Sequence, residues 1–308
     1  MNKIRVIFVG FVNDYELIDV KYISELVDVN VLVIDKFFFK FCKRLPFFGE
    51  LILRCLYKAK IKQFGLYDLV IIKDELDYLR YLNVDSSKTI LMLRNTLTKK
   101  TMDLIKDFNG SIYSFDVLNL QTHGLNYYPQ YSSVLSLVRD NKISISQKYD
   151  ICFVGKDKGR ECVIYDIKNS LVNRYNIRFE VIPDNSRYSN VFCKSAYKYS
   201  YLTYLETQLS SKAVLDIVQP GQSSETMRLI EALSVGCKVI TNNPNVINHP
   251  LYHASNVLYF DSVEFLNKEI DAFMSKSNFV YSTSMLEGFL ASNVLFGIVK
   301  DFVSKTTR

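Results

Sequence analysis

Short runs of apolar residues alternate along this chain with longer stretches in which apolar residues recur at helical spacing. The runs that predict strands in the first half are 4–9, 30–34, 68–72, 89–93 and 111–115. Those in the second half are 150–154, 177–182, 213–217, 237–241 and 256–260. Short apolar strands that alternate with helices are typical of parallel sheets covered on both faces. The pattern therefore predicts an α/β chain with two Rossmann-like domains.

Two passages of similar form mark where each domain begins. KIRVIFVGF at 3–11 and KYDICFVGKDKGR at 148–160 both read as an apolar strand, then a glycine, then a polar segment. The first passage has the character of a β-strand and not of a secretory signal. The predicted divisions are an N-terminal Rossmann-like domain at 1–117, a linker region of weak periodicity at 118–148 and a C-terminal Rossmann-like domain at 149–283. A last helix at 284–308 is expected to pack back on the first domain. We expect a cleft between the two domains.

The segment GQSSETMRLIEALSVGCKVITNN, 221–243, predicts a loop, a helix, a glycine stop and a strand. The helix is expected to begin near Ser223 or Ser224, because serine is a good N-cap. One stripe of the helix is apolar, whereas Arg228 and Glu231 lie one turn apart on another. Either the charged stripe is a solvated ion pair, or it faces a ligand at the carboxyl ends of the strands, where helix N-termini favour anions.

The loop GKDKGR, 155–160, directly follows the first strand of the second domain. Gly155 allows close approach of the backbone to a ligand, and Lys156, Lys158 and Arg160 supply three cations, which suits a diphosphate. A basic surface turn is the alternative. The spacing matches neither the Walker A loop nor GxGxxG, so kinase and dinucleotide-binding functions lose support.

Composition excludes several other classes of site. Six cysteines occur without a CxxC pair, and the chain has only three histidines, so neither a disulfide framework nor structural zinc is expected. No clear DxD motif is present, and we expect no essential metal and no cofactor. No run of about 18 apolar residues occurs, which argues against a transmembrane helix.

The net charge of +6 is unevenly distributed. Residues 36–62 contain eight Lys or Arg, one acid and six Phe. Basic residues interleaved with exposed aromatic rings suit an anionic membrane surface, and the residues that we expect to contact it are Phe38, Lys40, Lys43 and Arg44. An ordinary helix with buried Phe and a basic outer face is the alternative. Nucleic-acid binding has less support, since no nucleic-acid motif accompanies the charge.

Taken with the loop at 155–160, the segment 200–243 resembles bacterial polysaccharide glycosyltransferases of the GT-B type. It looks most like the CgeB-like branch and the capsule and lipopolysaccharide biosynthesis branch. The resemblance rests on VGKDKGR and on TMRLIEAL, and it covers most of the second half. The first half matches only in its Rossmann-like pattern.

The resemblance implies a nucleotide-sugar donor, with a UDP-sugar favoured, on the C-terminal domain. Glu231 matches the glutamate that commonly holds the ribose hydroxyls in such enzymes. Ser224, Thr226 and Arg228 would lie near the diphosphate, with Lys158, Arg160 and Gly155 of the other loop. Many retaining families carry a second acid eight residues before the glutamate, and here that position is Ser223, which puts retaining chemistry of that type in doubt.

The proton acceptor for an inverting transfer is expected in the first domain or the linker. Asp14 follows the first strand, and Asp116 follows the fifth, although aspartate in such places also serves as an N-cap. His123 is a third candidate. Arg94 follows the fourth strand and suits an anion. In the second domain, Tyr201 is placed either to stack on a base or sugar or simply to pack within a helix.

The leading hypothesis is therefore a cytoplasmic, bacterial, metal-independent glycosyltransferase on the inner face of the membrane. It would transfer a sugar to a lipid-linked capsule, O-antigen or related glycan. The first alternative is a non-catalytic subunit that binds a nucleotide sugar or glycan for a partner transferase, and the second is a two-domain enzyme such as a nucleotide-sugar epimerase. The sequence leaves the oligomeric state open.

Overall fold

The computed structural model describes residues 3–33, 36–45, 47–63, 67–74, 85–97, 99–106, 108–183 and 200–306 of the 308. The chain divides into two compact units. The first unit comprises Met1–Pro129 and Ala291–Arg308, and the second unit comprises Gln130–Leu290. Each unit is built around one parallel sheet.

The sheet of the first unit has the strand order β2-β1-β3-β4-β5-β6, and all its pairs are parallel. Its strands are β1 (Arg5–Val9), β2 (Asp28–Leu32), β3 (Leu69–Lys73), β4 (Thr89–Leu93), β5 (Ser111–Ser114) and β6 (Asn126–Tyr127). The described helices of this unit are α1 (Asp14–Ile23), α2 (Lys36–Lys43), α3 (Phe48–Gln63), α4 (Lys99–Lys106), α5 (Val117–His123) and α12 (Ala291–Thr306), with a 3-10 turn at Ser86–Lys88.

The sheet of the second unit has the order β11-β10-β9-β7-β8 and is also parallel. Its strands are β7 (Tyr149–Lys156), β8 (Ile177–Ile182), β9 (Ser211–Asp216), β10 (Lys238–Thr241) and β11 (Val257–Tyr259). Its described helices are α6 (Val134–Arg139), α7 (Glu161–Leu171), α8 (Tyr201–Leu209), α9 (Met227–Ser234), α10 (Val263–Ser275) and α11 (Thr283–Glu287), with a 3-10 turn at Pro244–Asn248.

Burial explains why the apolar runs of the sequence become strands. Every residue of β3 and of β4 is buried, as expected for a parallel strand with helices on both faces. In the second unit the side chains of β7, β8 and β9 form one core with α7 and α10. The prediction of an α/β fold with two Rossmann-like domains is confirmed.

The region 118–148 is more ordered than its weak periodicity suggests. Asp116 caps α5 by accepting a hydrogen bond from the backbone N–H of Leu118 at 3.1 Å, and Gly124 ends the helix in the left-handed conformation at φ 63°. Residues up to Pro129 group with the first unit and residues from Gln130 with the second. Elements of fewer than two turns are too short for a helical period to emerge.

The C-terminal helix α12 packs within the first unit. The hydroxyl of Tyr113, on β5, donates a hydrogen bond to the carboxylate of Asp301. Lys305 donates to the side-chain oxygen of Asn126 at 3.1 Å. No helix among the described residues has both the length and the apolar character that a membrane span requires.

The strand orders define where a ligand would bind in each unit. In the first sheet β2 lies on one side of β1 and β3 on the other, and in the second sheet β8 and β9 flank β7 in the same way. At such a point the connecting helices leave on opposite faces, so a crevice opens outside the carboxyl ends of the two central strands. The candidate sites are therefore expected beyond β1 and β3, and beyond β7 and β9.

Candidate functional site

Helix α9 is buried on every side. Its charged residues Arg228 and Glu231 are 8% and 1% exposed, and its apolar residues from Leu229 to Leu233 are equally inaccessible. The two charged side chains are therefore not a solvated surface pair. They belong to a buried polar cluster at the carboxyl ends of β7 and β9, where the strand order reverses.

The helix begins at Met227, later in the chain than the sequence predicts. Thr226 is its N-cap: its hydroxyl oxygen accepts the backbone N–H of Arg228 at 3.1 Å and donates to Asp216 Oδ1 at 2.8 Å. The preceding residues form a loop in which the Gln222 amide donates to the carbonyl oxygens of Ser224 and Glu225. Thr226 is the better N-cap because Asp216 fixes its hydroxyl.

The guanidinium of Arg228 points into the sheet. It donates to Gln208 Oε1 at 2.9 Å, to Asp216 Oδ1 at 3.2 Å, and to the carbonyl oxygen of Val154 at 3.1 Å. It also lies 4.8 Å from the ring centroid of Phe153. Burial disfavours this cation, but Tyr204 and Asp216 offset the burial, and the pKa of Arg228 is raised. Arg228 thus joins α8, α9, β7 and β9.

The carboxylate of Glu231 is held by residues of α8. The hydroxyl of Tyr201 donates to Glu231 Oε1 at 2.5 Å, and the Gln208 amide lies 3.5 Å from Oε2. Burial raises the pKa of Glu231 to about 7, although the Tyr201 hydrogen bond and Arg228 act in the opposite direction. Near neutral pH both the protonated and the ionised form of this group are therefore populated.

Arg160 fixes the loop that follows β7. Its guanidinium donates to the carbonyl oxygens of Ile217 at 2.5 Å, Lys156 at 2.5 Å and Asp157 at 2.9 Å. The Asp157 carboxylate accepts the backbone N–H groups of Arg160 and Glu161 at 2.8 and 2.7 Å, and so caps α7. Burial, followed by repulsion from Arg228, lowers the pKa of Arg160 to about 10.

Gly155 lies close to Arg228. A Cβ atom at this position would lie 2.7 Å from Nη2 of the guanidinium, so the guanidinium would have to shift away from its present contacts. Lys156 and Lys158, by contrast, are exposed. The cations of this loop that are open to solvent are therefore its two lysines, whereas Arg160 and Arg228 support the loop and the helix from below.

Two predicted serines lie in the loop before α9. Ser224 is 3% exposed, and the carbonyl oxygen of Ser223 accepts a hydrogen bond from Asn245 at 2.7 Å. The resulting edge carries two exposed lysines above the buried Arg160, whereas the charge of the buried Arg228 is paired with Asp216 at 3.2 Å. Such an arrangement favours an anion, because positive charge is concentrated there.

A second polar cluster lies beyond β1 and β3 in the first unit. Glu16 is fully buried and pairs with Lys73 Nζ at 2.7 Å. Its other oxygen accepts the backbone N–H groups of Val12 and Asn13 at 3.1 and 3.0 Å. Glu16 forms a capping box with Asn13 at the start of α1. These contacts give Glu16 and Lys73 a structural role.

Asp74 and Arg94 complete this cluster. Asp74 follows β3, is half-buried, and accepts the backbone N–H of Asn95 at 3.0 Å. Burial raises the pKa of Asp74 above its usual value, although hydrogen bonds from Asn95 act in the opposite direction. Arg94 is 9% exposed, and its guanidinium lies 5.8 Å from the ring centroid of Tyr15.

The three proton-acceptor candidates named from the sequence lie at the ends of two helices of the first unit. Asp14 is exposed in the first turn of α1. Asp116 is 1% exposed and caps α5. His123 is exposed in the last turn of the same helix. Within the described ranges, no group of three or more His, Cys, Asp or Glu side chains is placed to hold a metal ion.

Comparison with known proteins reveals the fold of this chain. Sucrose-phosphate synthase from Thermosynechococcus elongatus superimposes with a TM-score of 0.62 at 9% identity, covering 99% of this chain and 100% of the other. A glycosyltransferase involved in avilamycin A biosynthesis gives a TM-score of 0.58 at 10% identity, covering 99% of this chain and 98% of the other. The chain has the GT-B fold.

A third similar structure is a UDP-GlcNAc 2-epimerase from Methanocaldococcus jannaschii in complex with UDP-GlcNAc and UDP. Its TM-score is 0.53 at 11% identity, covering 97% of this chain and 99% of the other. No protein-family model matches the sequence, and no curated protein matches it. At such low identity the GT-B structures establish the fold of the chain and leave its reaction to be inferred from the site.

Several residues of the two clusters were missed by reasoning from sequence. Asp216 and Gln208 bind Arg228, and Asp74 lies beyond β3. The signal for the two aspartates was their position at or just beyond the carboxyl end of a predicted strand, 213–217 for Asp216 and 68–72 for Asp74, where polar side chains reach the ligand edge of a parallel sheet. No sequence signal marks Gln208, because its role arises from the packing of α8 against α9.

The titration of Glu231 predicts a pH-dependent stability. Its pKa is 4.5 as a reference and about 7 in the fold, so its favourable contribution is complete below pH 4.5 and is lost as pH rises to about 7. The loss is on the order of 3 kcal/mol, since one pKa unit corresponds to about 1.4 kcal/mol. We expect urea unfolding to show that the free energy of unfolding of the wild type falls relative to that of Glu231→Gln over this pH interval. Glu264→Gln, which removes an exposed carboxyl and keeps Glu231, is the matched control. Its stability should fall with that of the wild type, and an equal fall of the wild type relative to Glu264→Gln would contradict the assignment.

Proposed function

We propose that this protein is a glycosyltransferase that moves a sugar from a nucleotide-sugar donor to a lipid-linked glycan. The observation that carries the proposal is the basic edge at the strand-order reversal of the second unit, where Lys156 and Lys158 are exposed. The fold supports it, since the described neighbours include two proteins of sugar transfer or sugar-phosphate synthesis and an enzyme bound to UDP-GlcNAc.

The donor diphosphate is proposed to bind over the loop 155–160 and the start of α9. Lys156 and Lys158 are the exposed cations of the loop. The buried charge of Arg160, whose guanidinium donates, among the described residues, only to carbonyl oxygens, adds to the positive potential from below. As the bond to the sugar breaks, negative charge grows on the departing diphosphate, and fixed cations stabilise it. We propose a UDP-sugar as donor and no essential metal.

Glu231 is proposed to hold the ribose. A carboxylate accepts two hydrogen bonds and so suits a vicinal diol. In the structure the hydroxyl of Tyr201 donates to it at 2.5 Å, and in the proposal a ribose hydroxyl takes the place of this phenol. Thr226, Ser223 and Ser224 would remain in the loop near the diphosphate.

The proton acceptor is proposed to be Asp74. It lies beyond β3 at the ligand edge of the first sheet, is half-buried, and is oriented by Asn95. Burial raises its pKa, which increases its strength as a base. Asp14 is exposed and Asp116 caps α5, so we prefer Asp74 to both as the proton acceptor. Arg94 and Tyr15 would bind the acceptor beside it.

The acceptor is proposed to be a glycan carried by a membrane lipid, as in bacterial capsule or O-antigen synthesis. What supports this part is the basic and aromatic segment 36–62 of the first unit. The protein would then work on the cytoplasmic face of the membrane as a peripheral protein.

Binding of nucleotide sugars tests the donor site. In calorimetry with UDP-, GDP-, dTDP- and CMP-sugars, we expect a UDP-sugar to bind, and turnover with a glycan acceptor to release UDP. The double variant Lys156→Ala/Lys158→Ala should weaken UDP binding by about 10- to 100-fold, because a hydrogen bond to a charged group contributes about 1.5–3 kcal/mol. Uridine, which has no phosphate, should be affected far less.

The matched control is Lys148→Ala. Lys148 is exposed and precedes the amino end of the same strand, β7, so its removal changes net charge at the wrong edge of the sheet. An equal loss of UDP affinity in this variant, or none in the double variant, would show that the loop does not hold the diphosphate.

Two other activities are distinguished by the same experiment. Interconversion of a free UDP-sugar without acceptor would identify an epimerase, a reaction that the GT-B fold also supports in the Methanocaldococcus enzyme. Binding of a nucleotide sugar without hydrolysis, transfer or epimerisation would identify a non-catalytic binding subunit.

A further inference from the structure

A corner of exposed aromatic and aliphatic side chains lies where α2 meets α3 in the first unit. We define the aromatic corner as Phe41, Phe47, Phe48 and Leu51. Their side chains are 59%, 94%, 73% and 59% exposed. Four large apolar residues this exposed within eleven positions are unusual in a folded protein. Contiguous exposed apolar patches of this kind mark binding surfaces.

The corner is held in place by a buried inner face. Cys42 of α2 and Leu53 and Tyr57 of α3 are fully buried and pack with Val9 and Ile72 of the sheet. The two helices also approach closely at Gly49, where a Cβ atom would overlap the carbonyl group of Cys42. The inner face therefore accounts for the stability of the helices and leaves the outer aromatic residues without a role in the core.

The outer face of α3 changes from apolar to basic along its length. Phe48, Leu51 and Ile52 occupy the first turns and are exposed. Arg54, Lys58 and Lys62 follow at intervals of four residues, which places them on one exposed stripe. The sole acid of the segment, Glu50, pairs with Arg54 at 2.8 Å. An apolar tip followed by a row of cations matches the two layers of a bilayer surface: acyl chains and phosphates.

We propose that the aromatic corner inserts into an anionic lipid bilayer, with the basic stripe of α3 lying over the lipid phosphates. This inference rests on and deepens the membrane part of the proposed function, and its four inserting residues differ from the four membrane residues expected from the sequence. Of the membrane residues expected from the sequence, Phe38 is 39% exposed and Arg44 is exposed, whereas the side chains of Lys40 and Lys43 lie outside the part that the structure describes.

The charge pattern favours lipid over a second copy of the chain. A two-fold symmetric dimer through this corner would place one basic segment against another, and like charges face to face are unfavourable. Lysine is also depleted at protein interfaces, whereas lysines beside aromatic rings are typical of helices that lie in a membrane interface.

The absence of tryptophan from the whole sequence allows a site-specific test. Phe47→Trp provides a single fluorophore at the corner, and Phe265→Trp provides one on α10 of the second unit, where Phe265 is 41% exposed. On addition of phosphatidylglycerol-containing vesicles, we expect a blue shift and quenching by brominated acyl chains for the first variant only. Vesicles of phosphatidylcholine alone should produce little change.

Partitioning by vesicle sedimentation supplies the second measurement. Phe47→Ser/Phe48→Ser should lower the partition coefficient by about 10- to 100-fold, because burying a large apolar side chain is worth about 1.5–3 kcal/mol. Lys58→Ser/Lys62→Ser should lower it by about 10-fold and weaken its salt dependence. Phe265→Ser/Val280→Ser removes two exposed apolar side chains of the second unit and should have no effect.

Thermal unfolding of each variant shows whether it is folded, and the high exposure of Phe47 and Phe48 predicts an unchanged transition. Unaltered partitioning of Phe47→Ser/Phe48→Ser, or a dimer in ultracentrifugation that this variant dissociates, would overturn the inference. Neither measurement requires sugar transfer. Membrane insertion without UDP-sugar turnover would therefore contradict the proposed reaction and support the membrane-binding corner. UDP-sugar turnover without membrane insertion would support the reaction and contradict the corner.

Discussion

Replacing Arg228 by methionine is expected to destabilise the second unit by about 3–5 kcal/mol, since removing one partner of a buried ion pair leaves the other charge uncompensated. The guanidinium contacts Asp216, Gln208 and Val154 and is 8% exposed. Urea unfolding monitored by circular dichroism measures the loss. Methionine retains most of the apolar stem, so the change reports chiefly on the charge and its hydrogen bonds.

The matched control is Arg174→Met. Arg174 pairs with Asp271 at 2.7 Å, but both side chains are substantially exposed, at 35% and 70%. Such a surface pair contributes about 0–1 kcal/mol. The double variant Arg228→Met/Asp216→Asn should recover part of the stability that Arg228→Met loses, because it removes the unpaired carboxylate. Equal losses for Arg228→Met and Arg174→Met would contradict the structural role of Arg228.

The second large effect is expected at Asp74. Asp74→Asn should lower the rate of sugar transfer by about 10²- to 10⁴-fold, the usual contribution of a general base. Affinity for the UDP-sugar should be unchanged, since the donor is proposed to bind the second unit. Asparagine preserves the size of the side chain and can still accept the hydrogen bond from the Asn95 backbone, so the fold is expected to persist.

The pH profile separates a base from a structural carboxylate. The ionised form of Asp74 is the active one, so the wild-type rate should rise with pH as this group loses its proton. Burial raises the pKa of Asp74, which places this rise above the ordinary range of aspartate. The residual activity of Asp74→Asn should lack that rise.

Asp14→Asn and Asp116→Asn are the controls for this assignment. Asp14 is exposed on α1, and its loss should leave the rate close to that of the wild type. Asp116→Asn keeps an N-cap of similar quality on α5. A large loss of rate in Asp14→Asn, with near-normal activity in Asp74→Asn, would move the proton acceptor to the first turn of α1.

Most strands of this protein can be predicted from the local sequence. The predicted run 89–93 coincides with β4, and 177–182 coincides with β8. These runs are apolar because parallel strands are covered on both faces, and that requirement is visible residue by residue. Strand β6 was not predicted, because it has only two residues, which pair with β5 but do not form an apolar run.

The loop 155–160 illustrates how far a motif can be interpreted. Its three cations predict an anion site, and the structure places the loop at the ligand edge of the second sheet. From the sequence, Lys156, Lys158 and Arg160 are equivalent candidates for contact with an anion. In the structure Arg160 is 7% exposed and donates hydrogen bonds to three carbonyl oxygens. The difference arises because the fold brings the end of β9 beneath only one of them.

The sequence by itself determined that the chain forms two parallel α/β domains, because burial on both faces of each strand is written into short apolar runs. Only the tertiary structure decided that Arg228 and Glu231 are internal. A helical wheel shows a charged stripe beside an apolar one, and that pattern is the same whether the stripe meets water or other polar groups. Here α8 and the end of β9 supply Gln208, Tyr201 and Asp216. These residues are distant in sequence, and their side chains form hydrogen bonds with the charged stripe and bury it.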